Sequence, residues 1–170
     1  MRVYLLGFMG SGKSFLGSQL SSYLNWNYID LDQQIEQSTN KNITEIFKEN
    51  GESYFRQEES KALKETSESD HVIISTGGGT PCFNENMTWI KKHGKSVYLC
   101  VSPEILLGRL LDKRIERPLL HNMNMDELTS FIKSELKMRE IFYKKADLIL
   151  DADIFSASLL NAIEDLCQKD

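Results

Sequence analysis

The stretch "GFMGSGKS", Gly7 to Ser14, follows the apolar run "VYLL" and opens a segment whose apolar residues recur at helical spacing. It meets the pattern G-x-x-x-x-G-K-[ST] through Gly7, Gly12, Lys13 and Ser14. Glycines let backbone N–H groups turn inward around phosphate oxygens, and the N-terminus of the following helix adds positive potential. Lys13 is placed to reach the β and γ phosphates, and Ser14 to give its hydroxyl to Mg²⁺. The loop predicts a nucleoside triphosphate site. It leaves the phosphate acceptor open, because small GTPases, motor ATPases and metabolite kinases share it. The sequence has no N-K-x-D motif to read guanine, and 170 residues leave no room for larger ATPase machinery. A small-molecule kinase is favoured.

Outward from this loop, short apolar runs at residues 2–6, 26–29, 71–75, 96–101 and 146–151 alternate with stretches of helical period. Lys13–Leu24 places Phe15, Leu16, Leu20, Tyr23 and Leu24 on a shared helical face. Further helices are expected over residues 43–48, 52–63, 104–111, 136–142 and 155–166, the third of these after Ser102 as N-cap and Pro103 in the first turn. Strand and helix in alternation predict an α/β fold, a five-stranded parallel sheet covered by helices on both faces, with ligands at the carboxyl ends of the strands.

With 41% hydrophobic and 26% charged residues, the 170-residue chain fits one domain, residues 1–170, and one site. A net charge of −5 argues against nucleic acid as a partner, since a phosphate backbone needs a cationic footprint. Cys82, Cys100 and Cys167 have neither disulfide-framework nor zinc spacing. Glycines, Ser11 and Lys13 interrupt the apolar N-terminal stretch, which reads as a strand and not a signal peptide. No apolar run approaches the roughly 20 residues of a membrane helix. A soluble, cytoplasmic protein with no membrane partner is expected.

The second run ends in "YIDLDQQIE", with Asp30 and Asp32 two residues apart. Either is a helix N-cap or a group facing the cleft. The third run, "HVIIST", ends without a carboxylate for Mg²⁺, so Asp30 or Asp32 must supply it. "STGGGTP" then places three glycines, Gly77 to Gly79, where a flexible turn or a loop closely approached by a ligand fits. "ESYFRQEES" sets Arg56 and Glu59 three apart on a helix, which a surface ion pair alone would explain. Residues 112–124, "DKRIERPLLHNMN", carry Lys113, Arg114, Arg117 and Pro118 and read as a solvated loop or a cationic lid.

Together, "GFMGSGKS", "IDLD", "FRQEE", "STGGG", "RPLL" and "KMREIFY" resemble, in order and spacing, the shikimate kinase family over nearly the whole chain. The resemblance implies a P-loop NTPase fold of the nucleoside-monophosphate-kinase kind: a three-layer αβα sandwich with a mobile lid at about 112–124 and a substrate-binding helical segment at about 31–63. It implies transfer of a phosphoryl group from ATP to the 3-hydroxyl of shikimate, with Mg²⁺, by a monomer. Asp32 then matches the aspartate on the shikimate hydroxyls, Asp30 and Ser14 the magnesium side, and Arg56 and Arg139 the clamp on the substrate carboxylate. Gly77, Gly78 and Gly79 line the ring, and Glu59 orients Arg56. Gly10, Ser11, Gly12, Lys13, Ser14 and Phe15 hold ATP, Arg109 lies beside adenine, and Arg117 swings onto the phosphates. Lys13, Asp32 and Arg117 form the catalytic set.

Carboxylate recognition calls for planar cationic forks, and hydroxyls call for acceptors and backbone groups, in keeping with this assignment. The chain departs from the family in Pro81 and in "DADIFSAS", which lacks a basic residue in the adenine-binding loop. The alternatives are another small-metabolite kinase, such as a gluconate kinase, or a non-catalytic nucleotide-binding module.

Overall fold

Five apolar stretches pair into one parallel sheet in the computed structural model, which describes residues 1–113 and 123–168, without the side chains of 112 and 113. Its strands are β1 (Arg2–Leu6), β2 (Asn27–Asp30), β3 (Val72–Ser75), β4 (Lys95–Cys100) and β5 (Leu148–Asp151), in the order β2-β3-β1-β4-β5. The helices are α1 (Lys13–Leu24), α2 (Leu31–Thr39), α3 (Ile43–Glu65), α4 (Asn86–His93), α5 (Pro103–Lys113), α6 (Met125–Tyr143) and α7 (Ala157–Cys167). Central β1 contributes Val3 to Leu6, all fully buried, as are Val72 to Ile74 beside them. A strand covered on both faces has no polar side to alternate.

Successive strand residues point to opposite faces, and this identifies the layers. Tyr4 meets Trp89 of α4 edge-on, ring centroids 6.0 Å apart. Leu5, on the other face, lies where a β-carbon on Gly17 of α1 would come within 3.2 Å. Tyr98 pairs in register with Leu6, shares the face of Tyr4, and packs on Tyr143 of α6 with centroids 5.0 Å apart. The sheet is thus flanked by α1 on one side and by α4 and α6 on the other, the expected three-layer αβα sandwich.

The differences from the expected elements have local causes. Phe15 and Tyr23 are 57% and 50% exposed, because the buried stripe of α1 runs through Leu16, Gly17 and Leu20. At about 100° per residue, Phe15 points roughly 150° away from the centre of that stripe, and Tyr23, at its edge near the helix end, sends its hydroxyl out to Glu164 of α7. Helix α3 is interrupted at Gly51, whose φ of 80° and ψ of 172° are not helical, so its two parts answer to the two helices expected over 43–48 and 52–63. Helix α6 starts at Met125, not near 136, since Asn124 and Glu127 form a reciprocal capping box. Helix α4 was not expected; its basic C-terminal turn, Lys91 to His93, offsets the helix dipole.

Two loops leave the carboxyl ends of neighbouring strands, residues 7–12 after β1 and 76–80 after β3, and Asp30 ends the adjoining β2. Strands flanking β1 on its two sides are reached by crossovers in opposite directions, so the β1 loop sits at a topological switch point, where such sheets bind ligands.

Candidate active site

Gly7, Gly10 and Gly12 have φ of 146°, 80° and 94°, values that turn the loop around its centre. Inside it, Lys13 is only 8% exposed and donates to the carbonyls of Gly7 at 2.8 Å and Phe8 at 2.9 Å. The ammonium is thus held at the mouth of the loop by groups that also define its curve. Arg109, on α5, donates to the carbonyls of Gly10, Ser11, Ala152 and Asp153, tying the phosphate loop to the segment after β5. Phe15 stands edge-on to Phe155, centroids 4.9 Å apart, with Ile154 80% exposed alongside in the chain.

Of the two aspartates, Asp30 is the N-cap of α2: its Oδ1 accepts from the backbone N–H of Asp32 at 3.1 Å and of Gln33 at 3.4 Å. The cap and cleft readings coincide in this residue, because its Oδ2 accepts from Ser14 Oγ at 2.8 Å and from the Tyr28 hydroxyl at 3.2 Å. Burial, and then the Asp30 carboxylate, push the Tyr28 hydroxyl up to about 12, so it remains a donor. Among the described residues no three His, Cys, Asp or Glu side chains converge as a protein-built metal cage. Mg²⁺ in kinases is held by one or two protein oxygens together with phosphates, a demand that the Ser14 and Asp30 oxygens fit.

The triple glycine is explained by side chains that press on it. None of Gly77, Gly78 and Gly79 has a φ in the left-handed range that favours glycine. A β-carbon on Gly77 would lie 2.6 Å from Glu59 Oε1 and 3.0 Å from Asp32 Oδ1. One on Gly78 would meet the Met9 backbone N at 3.3 Å and Arg139 Nη1 at 3.4 Å, and one on Gly79 would sit 2.5 Å from Arg56 Nη1. The loop therefore brings Asp32, Arg56 and Arg139 to its surface and touches the phosphate loop. That is the whole predicted substrate set on one short backbone segment.

Arg56 is fixed on every side. Its Nη1 donates at 2.8 Å to Glu59, a fully buried carboxylate whose other oxygen accepts from Thr80 Oγ1 at 2.6 Å. Its Nε and Nη2 donate to Glu52, and its guanidinium carbon lies 4.2 Å from the Phe83 ring centroid. The reading of Arg56 and Glu59 as a surface ion pair is thereby corrected, since a fully buried carboxylate is not a surface partner. Arg139 lies 5.3 Å from the Phe8 ring centroid and donates to Glu135. Burial opposes its charge, but Tyr143 and Glu135 outweigh that and raise its pKa above the usual value. The Tyr143 hydroxyl donates to the Gly78 carbonyl. Arg117, with most of the 112–124 segment, lies outside the described residues.

Sequence reasoning passed over Glu52, Glu135, Tyr28, Phe83 and Tyr143. The first two were within reach, each standing four residues before an arginine on a helix.

The shikimate kinase family model matches residues 9–167. The shikimate kinase of Bacteroides thetaiotaomicron is 43% identical over 153 residues, covering 90% of this chain and 87% of that protein. The crystal structure of shikimate kinase from B. thetaiotaomicron superposes with a TM-score of 0.94 at 39% identity, covering 99% and 98% of the two chains. Shikimate kinase from Acinetobacter baumannii, solved in complex with shikimate, gives 0.88 at 32% identity over 98% and 92%. With the phosphate loop, the paired arginines and the triple glycine in one cleft, this chain belongs to the shikimate kinase family.

Proposed function

We propose that this chain phosphorylates the 3-hydroxyl of shikimate with ATP, giving shikimate 3-phosphate and ADP on the route to chorismate and the aromatic amino acids. The observation that carries the reading is the contact of one glycine loop with both Arg56 and Arg139 and with the phosphate loop. A substrate bearing a carboxylate at one end and hydroxyls at the other would span from the arginines to the phosphates.

The residues divide the work. Arg56 and Arg139 clamp the carboxylate, Asp32 accepts from the hydroxyls beside the reacting oxygen, and Gly77 to Gly79 admit the ring. Gly10, Ser11, Gly12, Lys13 and Ser14 hold the phosphates of ATP, while Phe15 and Arg109 border the base. Phosphoryl transfer asks chiefly for in-line positioning and neutralisation of charge on the migrating group, which Lys13 and Arg117 supply. The assignment of Arg117 and of a lid at 112–124 rests on sequence alone. Ser14 and Asp30 would hold Mg²⁺, which would supply positive charge against the phosphates when bound. Asp32 takes the hydroxyl proton as the new O–P bond forms and the bond from the γ-phosphorus to the oxygen of the departing ADP breaks.

In this reading residues 1–170 work as one domain and as a monomer, since one chain supplies the whole site, with residues 31–63 as the substrate-binding segment. Three free thiols suit a reducing cytoplasm. The test is ADP release with shikimate, quinate and gluconate side by side. Turnover dependent on shikimate supports the reading; ADP release driven by gluconate, or by no acceptor, contradicts it.

A further inference from the structure

Both arginines of the clamp are engaged by carboxylates one turn earlier on their own helices. Arg56 Nε and Nη2 donate to a single oxygen of Glu52 at 3.2 and 3.0 Å, and Arg139 Nη2 donates to Glu135 at 2.5 Å. A guanidinium presents its N–H groups along planar edges that match a carboxylate, and the Nε–Nη2 edge of Arg56 is the one that Glu52 occupies. An incoming substrate carboxylate meets a clamp already closed on the same chemical group.

We infer that Glu52 and Glu135 are surrogate carboxylates, which hold the arginine edges until a carboxylate substrate displaces them and thereby set the affinity for that substrate. The inference rests on the assignment of Arg56 and Arg139 as the substrate clamp.

The three glutamates around the arginines are not equivalent. Glu59 is fully buried and also accepts from Thr80, so displacing it would strand a buried acceptor. The Glu52 side chain is 58% exposed, so once released it passes into water at little cost. Losing Glu52 also leaves Arg56 in place, held by Glu59, by the Phe83 ring and by contact with Gly79. Glu135 is 22% exposed, and Arg139 keeps the Phe8 ring and Gly78 beside it when that partner leaves. With Glu135 neutralised, a guanidinium that burial already disfavours needs the substrate anion more. Glu52 and Glu135 are positioning residues that act through the arginines. Were they only helix-stabilising pairs, their loss would lower stability slightly and leave substrate affinity unchanged.

The experiment measures KM for shikimate and for ATP in the unsubstituted enzyme and in Glu52→Gln, Glu135→Gln and the double variant. Each single substitution is expected to lower KM for shikimate by about two- to fivefold, the range an ion pair of this exposure supports, with KM for ATP unmoved. Shikimate methyl ester, which has no carboxylate, should show no gain. An unchanged or higher KM for shikimate in both variants, or an equal gain for the ester, overturns the inference; a fall in one variant alone overturns it at the other arginine. Arg139→Lys separates this from the clamp assignment. If lysine raises KM for shikimate while the glutamine variants do not lower it, only the exchange fails. If lysine leaves KM for shikimate untouched, the clamp fails and the exchange with it.

Discussion

Ser14 Oγ donates to Asp30 Oδ2 at 2.8 Å, joining the first turn of α1 to the end of β2. The other oxygen of Asp30 caps α2, so one carboxylate closes a helix and faces the phosphate loop. Asparagine caps a helix about as well as aspartate. Asp30→Asn should therefore melt near the wild-type temperature while requiring about ten times more Mg²⁺ for half-maximal rate, the loss expected when one group of a metal shell is weakened. Asp30→Ala should lose about 1 kcal/mol of stability as well. Rate against Mg²⁺ concentration, with thermal melts in parallel, checks both; an unaltered Mg²⁺ dependence in the asparagine variant removes Asp30 from the metal side.

Lys13 sits inside the loop with its ammonium on the Gly7 and Phe8 carbonyls. Lys13→Met keeps the unbranched apolar stem of the side chain but cannot neutralise the migrating phosphoryl group. We expect a folded protein by circular dichroism and kcat reduced by about 10²-fold or more. More than half of the wild-type kcat in a folded variant would contradict the role of this loop.

Gly79→Ala introduces a β-carbon where Arg56 Nη1 would stand 2.5 Å away. Backbone torsions at Gly79 suit alanine, with φ of −92°, so the guanidinium must yield and the fold remains. The expected result is a rise of about tenfold or more in KM for shikimate, equivalent to at least one charge-assisted hydrogen bond, with KM for ATP unchanged. Equal losses on both substrates would show that the loop is not specific to the clamp.

The hydroxyl of Tyr28 has a folded pKa of about 12 against an ordinary 10, chiefly through burial and then through Asp30. A raised pKa favours the neutral form in the folded state. Its contribution to stability is complete below pH 10 and is lost as pH rises from 10 to 12. Denaturant unfolding across that range should show a shallower decline for Tyr28→Phe than for the wild type; parallel declines would place the alkaline sensitivity elsewhere.

Much of this was legible in the sequence because local chemistry and tertiary demand agree. The phosphate loop, the buried strands and the order of elements follow from glycine spacing and apolar periodicity, which survive any context. The burial of Glu59 was not legible, since a glutamate three residues from an arginine reads as solvated until Thr80 and the glycine loop close over it. Nor was the reason for three glycines: Gly77 to Gly79 look like backbone freedom in sequence but serve to make room for Glu59, Asp32, Arg139 and Arg56 arriving from three helices. Phe15 read as core, yet a rotation of about 100° per residue turns it to the face opposite Leu16, Gly17 and Leu20, where it meets Phe155 instead.

The central claim, that a carboxylate clamp faces a phosphate loop across one glycine segment, is tested most directly by the kinetics of Arg56→Lys. Lysine keeps the charge but loses the planar fork held by Glu59 and Phe83. The loss of a charge-assisted hydrogen bond, roughly 1.5–3 kcal/mol, predicts kcat/KM for shikimate lower by about ten- to a hundredfold. KM for ATP should be unchanged, because the nucleotide lies on the other side of the transferred group. Wild-type shikimate kinetics in this variant, or a loss falling chiefly on ATP, would contradict the account.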